Sequence, residues 1–184
     1  MTAPGSVEPG DRPRLFCALR LPDEVVEALV HWQAASIEAG RVVAPENLHV
    51  TLAFLGRRAR DELDAIVGAL HDSAAAARPI RLEAVRYRET RSVGMLSLSD
   101  QGGAATALAD ELHGRLETLG VYRREAREWL PHVTVVRFRE RPRLDPPLPD
   151  LGPIVPSEAA AYLSVLRPSG AQYVVLESVA LGGN

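Results

Sequence analysis

The feature that most constrains this chain is a short pattern that occurs twice, HVTL at residues 49–52 and HVTV at residues 132–135. Both segments are rich in β-branched and apolar residues and are preceded by proline, so each is predicted to be a β-strand. Side chains two residues apart in a strand point to the same face. Each strand should therefore present a histidine and a threonine together on one face and bury valine and leucine on the other.

Four polar residues of the two patterns are the candidate active site: His49, Thr51, His132 and Thr134. The chain contains 5 histidines among its 184 residues, and chance alone would place a threonine two residues after two of them only roughly 1% of the time. Imidazole, with an ordinary pKa of about 6.5, serves as acid or base at neutral pH. We therefore predict paired acid–base catalysis. The 83-residue separation of the two histidines suggests two similar lobes that face each other across a cleft.

The charge pattern favours a local site for an anion over a nucleic-acid coat. The net charge is −3, which argues against a protein that covers nucleic acid without specificity. All of the basic residues are arginines, and many of them flank the two patterns. Arginine forms bidentate pairs with phosphate, although most of these side chains are expected to be solvated or paired with carboxylates such as Glu89 and Glu125.

The order of predicted elements mixes helices with hairpins, which is typical of an α+β protein with a mainly antiparallel sheet. Residues 1–13, rich in Pro and Gly, are predicted to be a disordered tail, and residues 14–184 a single domain. The predicted strands cover residues 14–20, 49–56, 80–87, 93–98, 132–138, 158–166 and 173–181, with a brief extended piece at 41–44. The predicted helices cover residues 23–39, 60–77 and 104–119, and residues 141–156 are a predicted loop.

Several classes of protein are disfavoured by what the sequence lacks. It has no apolar run of about 18 residues, so no membrane span is expected. It has no apolar signal core, so we expect a cytoplasmic protein. We also expect a monomer. The single cysteine, Cys17, lies in an apolar strand and is interpreted as a core residue. Neither pattern has a further ligand at zinc-site spacing, so no metal or other cofactor is expected.

Four segments, in this order, resemble a known family: RLFCALRLP from residue 14, PENLHVTLAFLG from residue 45, PHVTVVRF from residue 131 and LSVLRPSGAQYVVLESVAL from residue 163. They are similar to the two-histidine phosphoesterases, and among these to the RNA 2′,3′-cyclic phosphodiesterases, also called LigT-like 2′-5′ RNA ligases. The resemblance implies two pseudo-symmetric lobes around a central cleft, each a mainly antiparallel sheet with helices on its outer face. It also implies metal-free cleavage of RNA 2′,3′-cyclic phosphate ends to 2′-phosphomonoesters.

The resemblance also assigns roles to residues. Thr51 and Thr134 would bind phosphate, as would Arg137, and Phe54 would stack on a base or support the pocket. Our working hypothesis makes His49 the acid toward the departing 3′ oxygen and His132 the base toward water. Phe54 and Arg137 each lie five residues after a histidine, so in a regular strand they would face away from it. Only a β-bulge or a strong twist would turn them to the same face.

Three other functions remain open at this level. The same chemistry would serve a small cyclic nucleotide or an ADP-ribose cyclic phosphate, and in reverse it would join RNA ends through 2′-5′ bonds. Such ligation would not use an adenylated lysine, because the chain has no lysine. A non-catalytic module that binds RNA ends is the third alternative. Assays that compare these substrates with RNA ending in a cyclic phosphate separate them.

Overall fold

The computed structural model describes residues 12–168 and 170–182, and within them the chain forms eight strands and three α-helices. The predicted tail lies outside the described residues except for residues 12 and 13. The strands are β1 Arg14–Arg20, β2 Arg41–Val42, β3 His49–Arg57, β4 Leu82–Glu89, β5 Val93–Asp100, β6 His132–Arg137, β7 Glu158–Arg167 and β8 Gly170–Ala180. The helices are α1 Asp23–Ser36, α2 Leu63–Ala75 and α3 Ala104–Thr118, with short 3₁₀ turns at Pro45–Asn47 and Arg60–Glu62.

All eight strands belong to one antiparallel sheet in the order β4-β5-β6-β3-β1-β7-β8, with β2 beside β6. The predicted α+β class is therefore confirmed. In the centre, β3 and β6 pair through one residue pair among the described residues, Val50 with Val133. This junction divides the sheet into a first half (β1, β3, β7 and β8) and a second half (β2, β4, β5 and β6), which correspond to the two predicted lobes.

The helices form where the sequence predicts them, with shifts at their ends. Helix α1 begins after Pro22 with two acidic residues in its first turn, which suits the helix dipole. It ends at Ser36, before the glycine expected to stop it. The helix predicted from residue 60 starts instead as a 3₁₀ turn, where the Glu62 carboxylate accepts the Ala59 N–H at 2.6 Å. These are differences of a few residues at helix ends, which fray.

The core lies between the helices and one face of the sheet. The apolar residues of both patterns are at most 1% exposed, as predicted: Val50, Leu52, Val133 and Val135. The large buried side chains of the helices, including Leu29, Ile66, Leu70, Leu112 and Leu116, are fully buried in the same cluster. The opposite face of the sheet is left to the polar residues of the patterns and to a small separate cluster around Phe16 and Tyr162.

Several of the arginines are paired, in line with the prediction. Arg141 lies 3.1 Å from the Glu89 carboxylate, and Arg127 lies 2.6 Å from Glu125. Glu89 also accepts the backbone N–H groups of Arg143 and Leu144. It thereby fastens the start of the long loop after β6 to the second half of the sheet. No helix among the described residues is long and apolar enough to cross a membrane.

Candidate active site

The central junction of the sheet brings the two patterns together. Val50 and Val133 are antiparallel partners, and continuing that register by one residue sets His49 opposite Thr134 and Thr51 opposite His132. The quartet of His49, Thr51, His132 and Thr134 therefore shares one face of the sheet. The two histidines occupy diagonal positions, for which Cα separations of about 7 to 8 Å are usual. Folding thus places two imidazole and hydroxyl pairs, remote in the chain, around one point.

Both histidines are oriented by the same kind of hydrogen bond. His49 Nδ1 lies 2.7 Å from the Asn47 carbonyl oxygen, and His132 Nδ1 lies 3.0 Å from the Leu130 carbonyl oxygen. A carbonyl only accepts, so each neutral ring carries its proton on Nδ1 and leaves Nε2 for chemistry. The Thr51 hydroxyl is 3.0 Å from His49 Nε2 and donates to it. Each pattern therefore presents an imidazole whose reactive nitrogen is fixed.

Aromatic rings surround His49. Its ring centroid lies 4.9 Å from that of Phe16, 5.4 Å from that of Tyr173 in an edge contact, and 6.1 Å from that of Tyr162. Burial lowers the pKa of His49 to about 4, with smaller contributions from the nearby charges of His132 and Arg137, while the hydrogen bond to Asn47 acts in the opposite direction. In the unliganded protein His49 is consequently neutral near pH 7.

A β-bulge in each strand resolves the difficulty with Phe54 and Arg137. Opposite β1, successive pairs join Ala18 to Thr51 and Cys17 to Ala53, which leaves residue 52 as an extra residue. Opposite β5, successive pairs join Met95 to Thr134 and Gly94 to Val136, which leaves residue 135 extra. Each extra residue is the third after its histidine. The alternation is thereby reset, and both Phe54 and Arg137 line the cavity that contains Thr51 and Thr134.

Buried side chains from two helices bind the carbonyl groups of both bulges. His113 Nε2 on α3 lies 2.7 Å from the Leu52 carbonyl oxygen, and Gln33 Nε2 on α1 donates to the Val135 carbonyl oxygen at 2.7 Å. Gln33 and His113 are each 3% exposed. Neither residue is among the candidate site residues that the sequence predicts. The available signal was a polar residue on an otherwise apolar helix face.

The quartet opens onto a cavity of about 550 Å³, a size typical of ligand sites. Three quartet members line it, namely His49, Thr51 and Thr134, while His132 is outside the lining, two residues before Thr134 on β6. Several residues from other strands also line the cavity but are not predicted from the sequence, among them Phe16, Tyr173, Arg41 and Arg167. Phe16 and Tyr173 do lie in the segments that carry the family resemblance, but their alignment with His49 depends on strand order.

Comparison with known proteins identifies the family. The family model of the 2'-5' RNA ligase superfamily matches residues 21–163. The chain belongs to this superfamily. Within it, the RNA 2',3'-cyclic phosphodiesterase of Thermus thermophilus is 32% identical, over 92% of this chain and 91% of the relative. The resemblance drawn from the four segments is confirmed by these matches.

Solved structures of superfamily members have the same fold. LigT of Escherichia coli in its apo form superposes with a TM-score of 0.76 at 27% identity, covering 93% of this chain and 98% of LigT. The complex of LigT with 3'-AMP gives a TM-score of 0.77 at 26% identity, covering 93% and 99%. The arrangement of elements described above is therefore shared across nearly the whole length of both chains.

The remaining candidate groups of this superfamily member lie away from the quartet. Cys17 is fully buried, and burial raises the pKa of its thiol to about 12, in agreement with its interpretation as a core residue. His31 and His71 lie on α1 and α2. Residues 12–168 and 170–182 contain no cluster of three or more His, Cys, Asp or Glu side chains arranged to hold a metal ion.

Proposed function

We propose that this protein hydrolyses the 2′,3′-cyclic phosphate ends of RNA to 2′-phosphomonoesters. The observation that carries the proposal is the junction at Val50 and Val133, which sets two His-x-Thr pairs across from each other on one face of the sheet, beside a cavity that three of these four residues line. The activity named for the Thermus thermophilus relative, which matches over nearly the whole chain, supports it.

The reaction needs one proton removed and one delivered. A water attacks phosphorus and loses a proton to a base, while the bond from phosphorus to the 3′ oxygen breaks and that oxygen receives a proton from an acid. The product carries a 2′-phosphate and a free 3′ hydroxyl. We assign His132 as the base and His49 as the acid. Because the pKa of His49 is about 4, the assignment requires the bound phosphate anion to raise it, as an opposite charge does.

The other site residues supply charge and shape. The Thr51 and Thr134 hydroxyls and the Arg137 guanidinium would stabilise the negative charge that builds on the non-bridging oxygens. The Arg137 side chain forms no ion pair or hydrogen bond with the described part of the chain, so its N–H donors are available to a ligand. Phe54 is 51% exposed although it lines the cavity, and we assign it to stacking on the base of the terminal nucleotide.

The decisive experiment is turnover of an oligonucleotide that ends in a 2′,3′-cyclic phosphate. The wild-type protein should release a 2′-phosphomonoester, which is distinguished from the 3′ isomer by chromatography. His49→Ala and His132→Ala should each lower kcat by on the order of 10²-fold or more. His31→Ala, an exposed histidine on α1, is the matched control and should be unchanged. Full activity of both active-site variants would refute the proposal.

The alternative substrates are tested with the same protein. Nucleoside cyclic phosphates and ADP-ribose cyclic phosphate, supplied separately, should give lower kcat/KM than the RNA end if RNA is the substrate. RNA with a free 5′ hydroxyl, added to the cyclic-phosphate RNA, reports 2′-5′ ligation as a longer product. Tight binding of the RNA end with no product would instead indicate a binding module.

A further inference from the structure

The cavity extends beyond the quartet toward the tip of the β7–β8 hairpin, formed by Arg167, Gly170 and Ala171. We propose that this end, with Arg41 and Arg167, binds a second phosphate of the substrate: the phosphodiester on the 5′ side of the nucleotide that bears the cyclic end. This subsite rests on the proposed function. It would make the protein prefer an oligonucleotide over a mononucleotide with the same cyclic phosphate.

The charge of the cavity exceeds what one cyclic phosphate neutralises. Arg41, Arg137 and Arg167 all line it, and Glu46 is the one carboxylate in the lining of this described cavity. The lining therefore carries a net charge of about two positive when His49 is neutral, whereas a cyclic phosphate diester carries one negative charge. Two of the three arginines, Arg41 and Arg167, line the hairpin end of the cavity.

The strand register concentrates this charge at a cost to stability. Arg41 and Arg137 are direct partners across β2 and β6, and like charges opposite each other in a sheet are unfavourable. Within the described residues Arg167 has no ion pair, whereas Arg115 and Arg124, away from the cavity, each pair with two carboxylates. A bound anion would relieve the repulsion between Arg41 and Arg137.

Contacts between the two halves of the sheet hold the subsite in place. The Arg41 guanidinium lies so close to Gly170 that a Cβ atom there would be 2.5 Å from Nη1. Asn47 Nδ2 donates to the Ala171 carbonyl oxygen at 3.0 Å. Asn47 Oδ1 is buried without a hydrogen-bond partner in the described structure, which leaves an acceptor for a ribose hydroxyl or a base amino group. The hairpin tip is thus fixed against residues that precede the first pattern.

A second groove is the alternative binding place for the RNA beyond its terminal nucleotide. It is smaller, about 230 Å³, and lies beyond Phe54, where Arg58, Tyr122 and Arg123 line it. Arg58 is oriented there by a hydrogen bond from Nε to the Leu55 carbonyl oxygen at 2.9 Å. We favour the hairpin end because it belongs to the same cavity as the quartet. The arginines of the second groove provide a matched control.

The test compares two double variants on two substrates. R41Q/R167Q removes the proposed subsite, and R58Q/R123Q removes the same number of arginines from the second groove. The substrates are a mononucleoside 2′,3′-cyclic phosphate and a dinucleotide with the same terminal nucleotide and one internal phosphodiester. We expect R41Q/R167Q to lower kcat/KM about tenfold for the dinucleotide, mainly through a higher KM. For the mononucleotide it should change less than twofold, and R58Q/R123Q should change neither.

Other outcomes overturn the subsite. Equal losses on both substrates would mean that the two arginines act on the cyclic phosphate or on folding, and circular dichroism melts separate these causes. No loss of kcat/KM would mean that no second phosphate is bound there. A loss of kcat/KM confined to R58Q/R123Q on the dinucleotide would mean that the RNA passes Phe54 and lies in the second groove.

Binding measurements separate failure of the subsite from failure of the proposed function. Calorimetry with the mononucleotide and dinucleotide 2′-phosphates needs no turnover. If the wild-type protein hydrolyses neither substrate, the proposed function fails. A dinucleotide that then binds wild-type protein about tenfold more tightly than R41Q/R167Q would still support the subsite, and equal affinity would refute it.

Discussion

The His49 side and the His132 side of the active site are built alike but surrounded differently. In both, a backbone carbonyl two residues earlier binds Nδ1, and a bulge three residues later resets the strand. The rings of Phe16, Tyr162 and Tyr173 pack around His49, whereas no ring contact to His132 occurs in the described structure. The shared backbone fixes geometry, and the unshared side chains set the electrostatics.

The residues turned inward by the two bulges extend this difference. The first half contributes Phe54, an apolar ring, and the second contributes Arg137, a positive charge. One strand thus adds an apolar ring to the cavity lining, while the other adds a positive charge. The proposed substrate is asymmetric in the same way, with a base on one side and a phosphate on the other.

The assignment of acid and base predicts the largest difference between the two sides. When sulfur replaces the 3′ bridging oxygen, the leaving thiolate needs no proton, so an acid becomes dispensable. On this substrate His49→Ala should regain most of its loss, on the order of 10²-fold, while His132→Ala should stay inactive. Single-turnover rates on the oxygen and sulfur substrates measure this. Rescue of His132→Ala in place of His49→Ala would exchange the roles.

The burial of His49 predicts that the stability of the protein depends on pH. The folded pKa of about 4 is below the unfolded value of about 6.5. The unfolded chain therefore binds more protons between these values, and stability falls as the pH falls through them. At pH 4.5 the loss from this group is roughly 2.5 kcal/mol relative to pH 7.

Urea unfolding at the two pH values tests this dependence. His49→Asn should lose about 2.5 kcal/mol less than the wild type on acidification. Identical acid sensitivity of the two proteins would contradict the buried state of His49.

The two bulge contacts predict smaller and separable effects. His113→Leu removes the donor to the Leu52 carbonyl oxygen. Gln33→Leu removes one of the two donors to the Val135 carbonyl oxygen, and the other donor, the Val43 N–H, remains. Each should lower the free energy of unfolding by about 1 to 2 kcal/mol, with the larger loss for His113→Leu. Gln33→Leu should also weaken phosphate binding through Arg137, and His113→Leu should weaken base stacking through Phe54.

Ser73→Ala is the control for these contacts, because Ser73 is as buried as Gln33 and His113 but bonds within α2 to the Ala69 carbonyl. It should leave kcat/KM unchanged. Unfolding curves together with KM values for substrates that differ in their base provide the readout. If both helix variants kept wild-type kinetics, the bulges would not depend on these side chains.

Much of the fold followed from local sequence. The alternation around the two patterns predicted the buried side of both strands, and turn residues marked most element boundaries. The family resemblance pointed to Phe54 and Arg137 but could not explain how they face the cavity. The bulges at residues 52 and 135 depend on pairing with β1 and β5, and such pairing between distant segments has no local signature. Gln33 and His113 were missed because a polar residue on an apolar helix face does not indicate which carbonyl group it will contact.

The sequence by itself determined which groups are the candidates for catalysis, because two histidines with their threonines lie on strands whose apolar residues must be buried. Tertiary structure alone decided that these strands meet at Val50 and Val133 and that aromatic rings enclose one histidine and not the other. It also decided that Arg41 and Arg167 reach the same cavity. Those features arise between segments that lie far apart in the chain. Strand order and register decide which of their side chains meet, and no local preference of the sequence encodes strand order or register.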